Sequence, residues 1–337
     1  MSNKYEYRKQ HYVPQCYLKG WNDSKEEIWI CNKSNLSLVK HSVTKNQLYE
    51  KNYYTITIDD DYIITDKELA ILFEPLKGCK VFCHNKELNS FYELRVNYDY
   101  FDDWEIYMNE QKISNEAVKI KIRAIRILTI EKFWGEIEDR WLILKSEIES
   151  KIHSCENSEM QEFSRKDIIT FVSTFEWRNK SKYEEIRTKY EVLLPKFETL
   201  SEKENKKQFD KFVRCYMLGQ YLKYIDTNDS NIKTEEEKFN DLALVFFVID
   251  GDKSFITSDN PSFKILDTSL NGQYFPISPK ILLGMFKNSL GKPSKYIIKK
   301  VTDATVKEFN REIANNSFEY IISNNETIRD ALPPTKI

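Results

Sequence analysis

The sequence predicts an α+β protein in which a central helical layer packs on a C-terminal antiparallel sheet. Between residues 113 and 225, apolar side chains recur every three or four positions, which is the period of an amphipathic helix. From residue 239 onward the pattern changes to short apolar runs bounded by turn residues, which is typical of buried strands. We expect the N-terminal motif segment to return to that sheet.

The 337 residues are interpreted as one integrated domain covering 1–337. Its subregions are an N-terminal strand and helix region (1–112), the helical layer (113–225) and the C-terminal sheet region (239–325). A composition of 41% hydrophobic and 31% charged residues is that of a folded globular protein. The polar segment from Asp226 to Lys238 is expected to be a flexible loop and the best internal boundary.

The charge balance excludes a strong overall electrostatic potential around the protein. Lysine and arginine number 51 against 53 acidic residues, so nothing global attracts the chain to nucleic acid or to an anionic membrane. The longest apolar run, Leu242 to Ile249, is too short to span a bilayer. Met1 to Tyr5 lack the apolar core of an export signal. We therefore expect a cytoplasmic protein with no membrane partner.

The six cysteines are dispersed and form no C-x-x-C pair, so reduced thiols are expected. Cys79, Cys83 and His84 could share one helix face and supply three metal ligands. A fourth ligand at a recognisable spacing is missing, and ordinary helix packing is favoured. No metal site is predicted.

The N-terminal region is expected to alternate short helices and strands. Pro14 suits the first position of a short helix that Gly20 ends. Strands are expected at Ile28 to Cys31 and at Tyr53 to Ile58, because apolar side chains alternate in the second. Thr65 to Glu68 has the spacing of a capping box and should open a helix.

The helical layer should begin at Ser114, with a second helix running through Trp134 to Ile148. Pro75 should kink the helix before it, and residues 85–112 receive no assignment. A further helix start is expected at Ser164 to Asp167, where a hydroxyl residue is followed three positions later by an acid.

The helix behind Ser164 places Arg178 at the end of an apolar stripe that contains Phe171 and Phe175. A buried guanidinium group cannot lose its proton, so it needs a carboxylate, carbonyl groups or an anionic ligand. Arg187 is expected to extend the same positive surface. The charged segment from Ser201 to Lys207 should lead into the next helix.

In the C-terminal region, Leu242 to Ile249 is predicted to be a buried strand, with Asp250 and Gly251 as a hairpin turn and Ser254 to Thr257 as the return strand. Ser258 to Pro261 must leave the sheet, because proline cannot donate to a central ladder. Three later elements are expected: a strand at Ile281 to Phe286, a helix at Val301 to Asn315 and a strand at Phe318 to Ile322.

Four motifs occur in order along the chain. They are His11-Tyr12-Val13-Pro14-Gln15-x-Tyr17-Leu18, Trp177-Arg178, Phe255-x-Thr257-Ser258-Asp259-Asn260-Pro261 and Phe275-Pro276-Ile277-Ser278-Pro279. With these residues the chain resembles, over nearly its whole length, the bacterial family called domain of unknown function 4238 (DUF4238). Cys16 departs from the pattern, since such proteins more often carry a large side chain there. The resemblance implies motif positions but no assigned activity.

Three motif residues are candidate catalytic groups. An unperturbed imidazole titrates near neutrality, so His11 suits proton transfer. Asp259 would fix the tautomer of His11 or coordinate a cation, and Arg178 would neutralise developing phosphate charge. Together they would resemble a phosphodiester site. The structural alternatives are that His11 caps the following helix and that Asp259 stabilises its own turn.

Five further residues are candidate substrate-binding groups: Gln15, Tyr17, Ser258, Asn260 and Arg187. Gln15 lies one helical turn after His11 and could orient the imidazole or a ligand through its amide. Its alternative role is a buried side chain that ties the N-terminal segment to the sheet. Asn260 could likewise hold a ligand or satisfy its own loop.

The leading hypothesis is a nuclease-like hydrolase that acts on a phosphodiester, nucleotide or RNA, for instance as a toxin or defence effector. The alternative is a non-enzymatic anion- or nucleotide-binding module whose motif residues are structural, so enzymatic activity stays open. No cofactor is predicted, and a divalent cation near Asp259 stays open. The sequence lacks the short signatures of P-loop, dinucleotide-binding, zinc-protease and serine-hydrolase proteins.

Overall fold

The computed structural model describes residues 9–56, 58, 66–152, 162–193, 201–227, 229–266, 271–287, 296–326 and 328. Helices and short, mainly antiparallel strands are interspersed, which confirms the predicted α+β class. The chain divides into two compact units, each assembled from three segments. Unit 1 comprises Met1–Gln10, Lys51–Trp134 and Glu185–Ser230, and unit 2 comprises His11–Glu50, Gly135–Glu184 and Asn231–Ile337. The interpretation as a single integrated domain stays a prediction.

The α-helices in these ranges are α1 (Gln15–Leu18), α2 (Asp66–Leu72), α3 (Phe91–Val96), α4 (Asn115–Ile152), α5 (Glu162–Arg178), α6 (Lys180–Leu193), α7 (Glu202–Asp226), α8 (Asn231–Asn240) and α9 (Asp303–Asn316). The strands are β1 (Lys9–His11), β2 (Glu27–Asn32), β3 (Val39–Val43), β4 (Tyr49–Lys51), β5 (Cys79–Cys83), β6 (Lys86–Glu87), β7 (Trp104–Met108), β8 (Gln111–Ile113), β9 (Leu242–Ile249), β10 (Thr257–Ser258), β11 (Phe263–Ile265), β12 (Gly272–Ser278), β13 (Ile281–Lys287), β14 (Ile297–Val301) and β15 (Tyr320–Ser323).

Unit 1 contains an antiparallel sheet in the order β6-β5-β7-β8. Its inner face is apolar, because Val81 on β5 and Ile106 on β7 are paired across the strands and almost fully buried. Cys79 and Cys83 lie on β5, so the expected helix face shared with His84 is wrong. His84 instead occupies the tight turn after the strand, with a φ of 51°.

A strand was expected at Tyr53 to Ile58, and the described part of this segment is not a strand. Two of its backbone N–H groups donate hydrogen bonds to other parts of unit 1 instead of to a neighbouring strand. The Tyr54 N–H donates to the side-chain oxygen of Gln10 at 2.6 Å, and the Ile56 N–H donates to the Arg126 carbonyl at 2.9 Å. Side-chain and helix partners therefore replace a strand ladder. Thr65, the proposed cap of α2, lies outside the described residues.

Unit 2 contains two sheets, β10-β15-β2-β3 and β11-β12-β13-β9-β14. All described pairings in them are antiparallel except that of β14 with β9, which is parallel. The N-terminal strand β2 lies beside the C-terminal strand β15, with Ile30 opposite Ile322. One buried cluster fills the region between α9 and the strands; it includes Phe247, Phe255, Tyr274, Phe309 and Ile321.

The hairpin predicted at Asp250 and Gly251 is wrong. Strand β9 pairs with β13 and β14, whereas Thr257 and Ser258 pair with β15. The Asp250 N–H donates to the Val301 carbonyl at 3.0 Å, which extends the pairing of β9 with β14. The chain after β9 therefore does not reverse to form a hairpin with it. A local turn signal was overridden by a long-range strand pairing.

Two helix predictions also differ from the structure. One continuous α4 replaces the two expected helices, because buried residues continue at helical spacing through Trp134, Ile137 and Trp141 and the single Gly135 does not interrupt them. The segment Asp226 to Lys238 is largely helical, since Ile232 and Phe239 give α8 a buried face. The boundary between the two units nevertheless falls at Ser230, inside that segment.

Smaller differences concern helix ends. Pro14 immediately precedes α1, and Gly20 lies in a 3₁₀ turn that follows it. Pro75 lies in a separate 3₁₀ turn (Glu74–Leu76) after α2 and does not kink that helix. Ser164 lies inside α5, where its hydroxyl donates to Glu147, so it is not the cap. Ser201 does cap α7, through a complete capping box with Glu204.

None of the helices in the described ranges combines the length and the apolar character that a bilayer-spanning segment needs.

Candidate functional site

The N-terminal motif is anchored in unit 2 by two buried aromatic side chains. The Tyr17 hydroxyl donates to the Pro276 carbonyl at 2.9 Å and lies 2.6 Å from the Thr257 hydroxyl. Since the Tyr17 hydroxyl has only one hydrogen, Thr257 is the donor in the second contact. The Trp21 indole N–H donates to the Phe255 carbonyl at 3.1 Å. Tyr17 is fully buried, so its contacts are those of a packing residue and not of a substrate-binding surface.

His11 ends β1, and its side chain is partly exposed. The Gln15 amide nitrogen lies 2.9 Å from its Nε2 atom and 3.2 Å from its Nδ1 atom. The ring centroid of Tyr49 is 5.6 Å away. The amide contact expected from a spacing of one helical turn is therefore present, and it restricts the orientation of the imidazole ring.

Arg178 lies at the end of α5 and is 4% exposed. Its Nη2 atom is 2.8 Å from a carboxylate oxygen of Glu138 and donates to the His11 carbonyl at 3.2 Å. The partners that a buried guanidinium group requires are thus supplied by the protein itself. Arg178 is brought to the His11 backbone, where it fixes the end of β1.

Cys16 lies beside this ion pair. Burial raises the pKa of its thiol, and the Glu138 carboxylate raises it further, while Arg178 opposes the shift. A neutral thiol is a poor nucleophile. Cys16 is therefore a buried thiol next to the Arg178–Glu138 pair.

Asp259 follows β10 and is 1% exposed. One carboxylate oxygen accepts the Phe318 N–H at 2.9 Å, and the other accepts the Glu319 N–H at 2.7 Å. Burial raises the pKa of this carboxyl group to about 6, although the backbone hydrogen bonds act in the opposite direction. The carboxylate thus joins the end of β10 to the segment that leads into β15.

The neighbours of Asp259 are also occupied. The Ser258 hydroxyl is fully buried and accepts the Asn260 N–H at 3.2 Å. The Asn260 amide accepts a hydrogen bond from Asn179 at 3.1 Å and donates to Ser181 and to the Asn316 carbonyl. These contacts hold the loop after β10 against the ends of α5 and α9. They correspond to the structural alternative for Asn260.

Arg187 belongs to unit 1, whereas the other candidate residues belong to unit 2. Its Nε atom lies 3.1 Å from an Asp210 carboxylate oxygen, and its Nη2 atom lies 3.9 Å from Glu191. The described partners of this guanidinium group are acidic residues of its own unit. A substrate-binding role for Arg187 stays a prediction.

Two acidic residues near the motifs were missed by sequence reasoning. Glu138 on α4 is the ion-pair partner of Arg178. Glu176 on α5 accepts hydrogen bonds from the Ser262 hydroxyl and from the Gln273 amide, the latter at 2.7 Å. Burial raises the pKa of Glu176 to about 7. Neither residue lies at a recognisable spacing from its partners, so no local pattern could have identified it.

Replacing Glu176 with glutamine is expected to change the pH dependence of stability. The pKa of Glu176 is raised from 4.5 to about 7, so the folded state binds the proton of this carboxyl group more tightly than the unfolded chain does. The resulting contribution to the free energy of unfolding is complete below pH 4.5 and is lost as the pH rises through about 7. Both hydrogen bonds go to Oε1, which an amide retains. We expect E176Q to be more stable than the wild type by about 2 kcal/mol at pH 8 and equal to it at pH 4, after allowing for partial solvent screening.

Urea denaturation between pH 4 and pH 8.5 measures this difference. E185Q, which alters an acid on the exposed part of α6, is the matched control and should run parallel to the wild type. If the stability curves of E176Q and the wild type stay parallel as well, burial does not raise the pKa of Glu176, and this prediction is wrong.

The described residues contain no group of three or more histidine, cysteine, aspartate or glutamate side chains positioned to hold a metal ion. Both oxygens of Asp259 already accept backbone hydrogen bonds. No cofactor was predicted, and a divalent cation near Asp259 stays open.

Taken together, these contacts define an α+β protein in which most polar motif residues form a buried junction between chain segments. The family described as "Protein of unknown function (DUF4238)" matches residues 9–327. The chain therefore belongs to this family, which confirms the resemblance carried by the four motifs. Neither the comparison with curated proteins nor that with solved structures returned a match.

Proposed function

We propose that the chain is a non-enzymatic module that binds a phosphate-bearing ligand such as a nucleotide, and that Asp259 and Arg178 serve to hold its fold. The observation that carries this proposal is the Asp259 carboxylate, which is 1% exposed and accepts two backbone hydrogen bonds. A group in this position neither meets a substrate nor orients His11. Arg178 is similarly used by Glu138 and by the His11 carbonyl.

The ligand would contact the part of the motif that reaches the surface. His11, Gln15 and Tyr49 are all partly exposed, and the ring of His11 lies beside both partners. An imidazole N–H and an amide N–H both donate to phosphate oxygens, and hydrogen bonds to a charged phosphate are strong. The tyrosine ring offers a face on which a base can stack. Two hydrogen-bond donors beside one aromatic ring therefore fit a ligand that has both a phosphate group and a base, such as a nucleotide.

A second candidate function is hydrolysis of a phosphodiester, nucleotide or RNA. The contact that favours it is the Gln15 amide, which lies 2.9 Å from the Nε2 atom of His11. An imidazole whose orientation is restricted by a neighbour suits general acid–base catalysis. In this version His11 alone moves protons, and the chain would serve as a bacterial cytoplasmic nuclease, for instance a toxin or defence effector.

Replacing His11 with alanine is expected to weaken ligand binding without unfolding the protein. The side chain is partly exposed, so we expect a change in melting temperature of no more than about 2 °C. Loss of one charge-assisted hydrogen bond should reduce affinity about tenfold. Calorimetry with AMP, GMP and inorganic phosphate measures the affinity, and K45A, an exposed change in the same unit, is the matched control.

The same variants separate the two functions. If the wild type binds a nucleotide but turns over neither RNA nor nucleotides, the binding module is supported. Turnover that is abolished in H11A and retained in D259N would support the hydrolase instead. A wild-type protein that binds none of the three probes would overturn the binding proposal. An H11A variant that binds the probes as tightly as the wild type and turns over RNA and nucleotides as the wild type does would remove His11 from both proposals.

A further inference from the structure

Unit 1 contains a cavity of about 490 Å³ between α2, β5 and α3. This volume lies within the range of about 300 to 1,000 Å³ that small-molecule sites occupy. Most of its wall is apolar and comes from buried or partly buried side chains: Phe73, Leu76, Val81, Leu88, Phe91 and Leu94. The cavity is built by different elements from those that carry the four motifs, so it is independent of the His11 site.

Two phenylalanine rings line the cavity and are nearly parallel. The planes of Phe73 and Phe91 differ by 5°, and their ring centroids are 6.5 Å apart. A centroid separation of this size lies within the range of neighbouring aromatic rings, so it leaves no room for a third ring between them. Both rings nevertheless belong to the cavity wall and offer aromatic surface to a ligand in the cavity. A planar aromatic molecule stacks on such surface more closely than a puckered aliphatic ring of the same size does.

The two rings differ in how firmly they are held. Phe73 is 1% exposed, its N–H donates to the Leu69 carbonyl at 2.9 Å, and its ring also contacts Tyr98. Phe91 is partly exposed and begins α3, immediately after the capping residue Ser90. A fixed inner ring and an outer ring at the surface allow a flat ligand to enter from the side of Phe91.

The polar residues of the cavity wall carry balanced charge. Glu74 and Lys77 offset one another, and Asn89 and Ser90 add neutral polar groups. Such a wall favours neither an anion nor a cation. We propose that this cavity binds a neutral, planar aromatic molecule, with its ring system packed against the aromatic part of the wall formed by Phe73 and Phe91 and with its polar substituents at the exposed edge.

Probe molecules can test the shape requirement directly. Ligand-observed NMR and calorimetry with the full-length protein would compare indole and adenine, which are planar, and would compare benzyl alcohol with cyclohexylmethanol, which differ mainly in planarity. We expect indole or adenine to bind, and benzyl alcohol to bind at least fivefold more tightly than cyclohexylmethanol. Equal affinity for the last two molecules, or no detectable binding of any planar probe at millimolar concentration, would overturn the proposal.

Three variants locate the binding. F91L keeps an apolar side chain but removes one stacking face, so it should weaken indole binding about tenfold. A70F fills the cavity from α2 and should abolish binding. Y92L changes the neighbouring aromatic residue, which is 60% exposed and does not line the cavity, and it should bind as the wild type does. H11A should also leave indole binding unchanged, which separates this site from the proposed phosphate site.

Cys79 provides a second readout, because it lines the cavity and is the only described cysteine that is not buried. Indole at about twice its wild-type Kd should slow alkylation of Cys79 about threefold in the wild type, as measured by peptide mass spectrometry, and only about 1.2-fold in F91L at the same concentration, because the affinity of F91L is about tenfold lower. Melting curves check that each variant is folded. If A70F does not fold, F91L and Y92L still decide the outcome; an F91L variant that binds indole as tightly as Y92L would contradict the proposal.

Discussion

Replacing Asp259 with alanine is expected to lower the free energy of unfolding by about 4 kcal/mol, because two charge-assisted hydrogen bonds are lost and the Phe318 and Glu319 N–H groups lose their partner. In a protein of this size the melting temperature should fall by about 10 °C. The segment that leads into β15, at Phe318 and Glu319, would no longer be bonded to the residue that follows β10. Thermal and urea denaturation at pH 7.5 measure both quantities.

Asp259→Asn is the informative companion to the alanine variant. An asparagine side chain retains one acceptor oxygen, but it places an NH₂ group against the second backbone N–H. We therefore expect a loss of about 2 kcal/mol, between the wild type and D259A. If D259A melts within about 2 °C of the wild type, the carboxylate is not the structural tie described above, and its role in chemistry must be reconsidered.

Arg178→Ala is expected to cost about 4 kcal/mol, because removing one partner of a buried ion pair leaves the other charge without compensation. Glu138 would lose the guanidinium group 2.8 Å away, and the His11 carbonyl would lose a donor. R178K should also destabilise the protein, since an ammonium group cannot reproduce the planar geometry with which a guanidinium group serves two acceptors. Chemical denaturation measures the loss for each variant.

A double variant distinguishes the ion pair from simple loss of volume. Replacing a buried ion pair by apolar residues of similar size is often nearly neutral, so R178M combined with E138L should recover most of the stability lost in R178A. The expected result is a double variant within about 1.5 kcal/mol of the wild type. A double variant that is less stable than R178A would mean that the charges themselves stabilise the fold.

The sequence predicted the elements whose pattern is local and strong. The strand β9, the helix α9 and the helical region from Asn115 onward follow from apolar periodicity alone. The one-turn spacing of His11 and Gln15 correctly placed an amide beside the imidazole ring. Arg178 was expected to need a carboxylate or carbonyl partner, and it has one of each.

Most of the failures have a common physical cause, which is that long-range partners decided the outcome. Asp250 and Gly251 carry a hairpin signal, yet the Asp250 N–H bonds to Val301, which lies 51 positions later. For Asp259, the sequence could not reveal the N–H partners of Phe318 and Glu319, because backbone groups leave no trace in a sequence. The helix α8 was missed for a local reason: its polar composition outweighed the buried positions Ile232 and Phe239.

The pairing of β2 with β15 has a consequence for biosynthesis. Glu27–Asn32 can complete its sheet only after Tyr320–Ser323 has left the ribosome, because these two strands are direct neighbours. The hydrogen bonds of Tyr17 and Trp21 likewise form only after Thr257 and Phe255 have been synthesised. Contacts of such high sequence separation slow folding and expose apolar surface on the nascent chain. Unit 2 can therefore complete this sheet only after residue 323 has left the ribosome, and chain-shortening mutations near residue 320 should leave β2 without its neighbour β15.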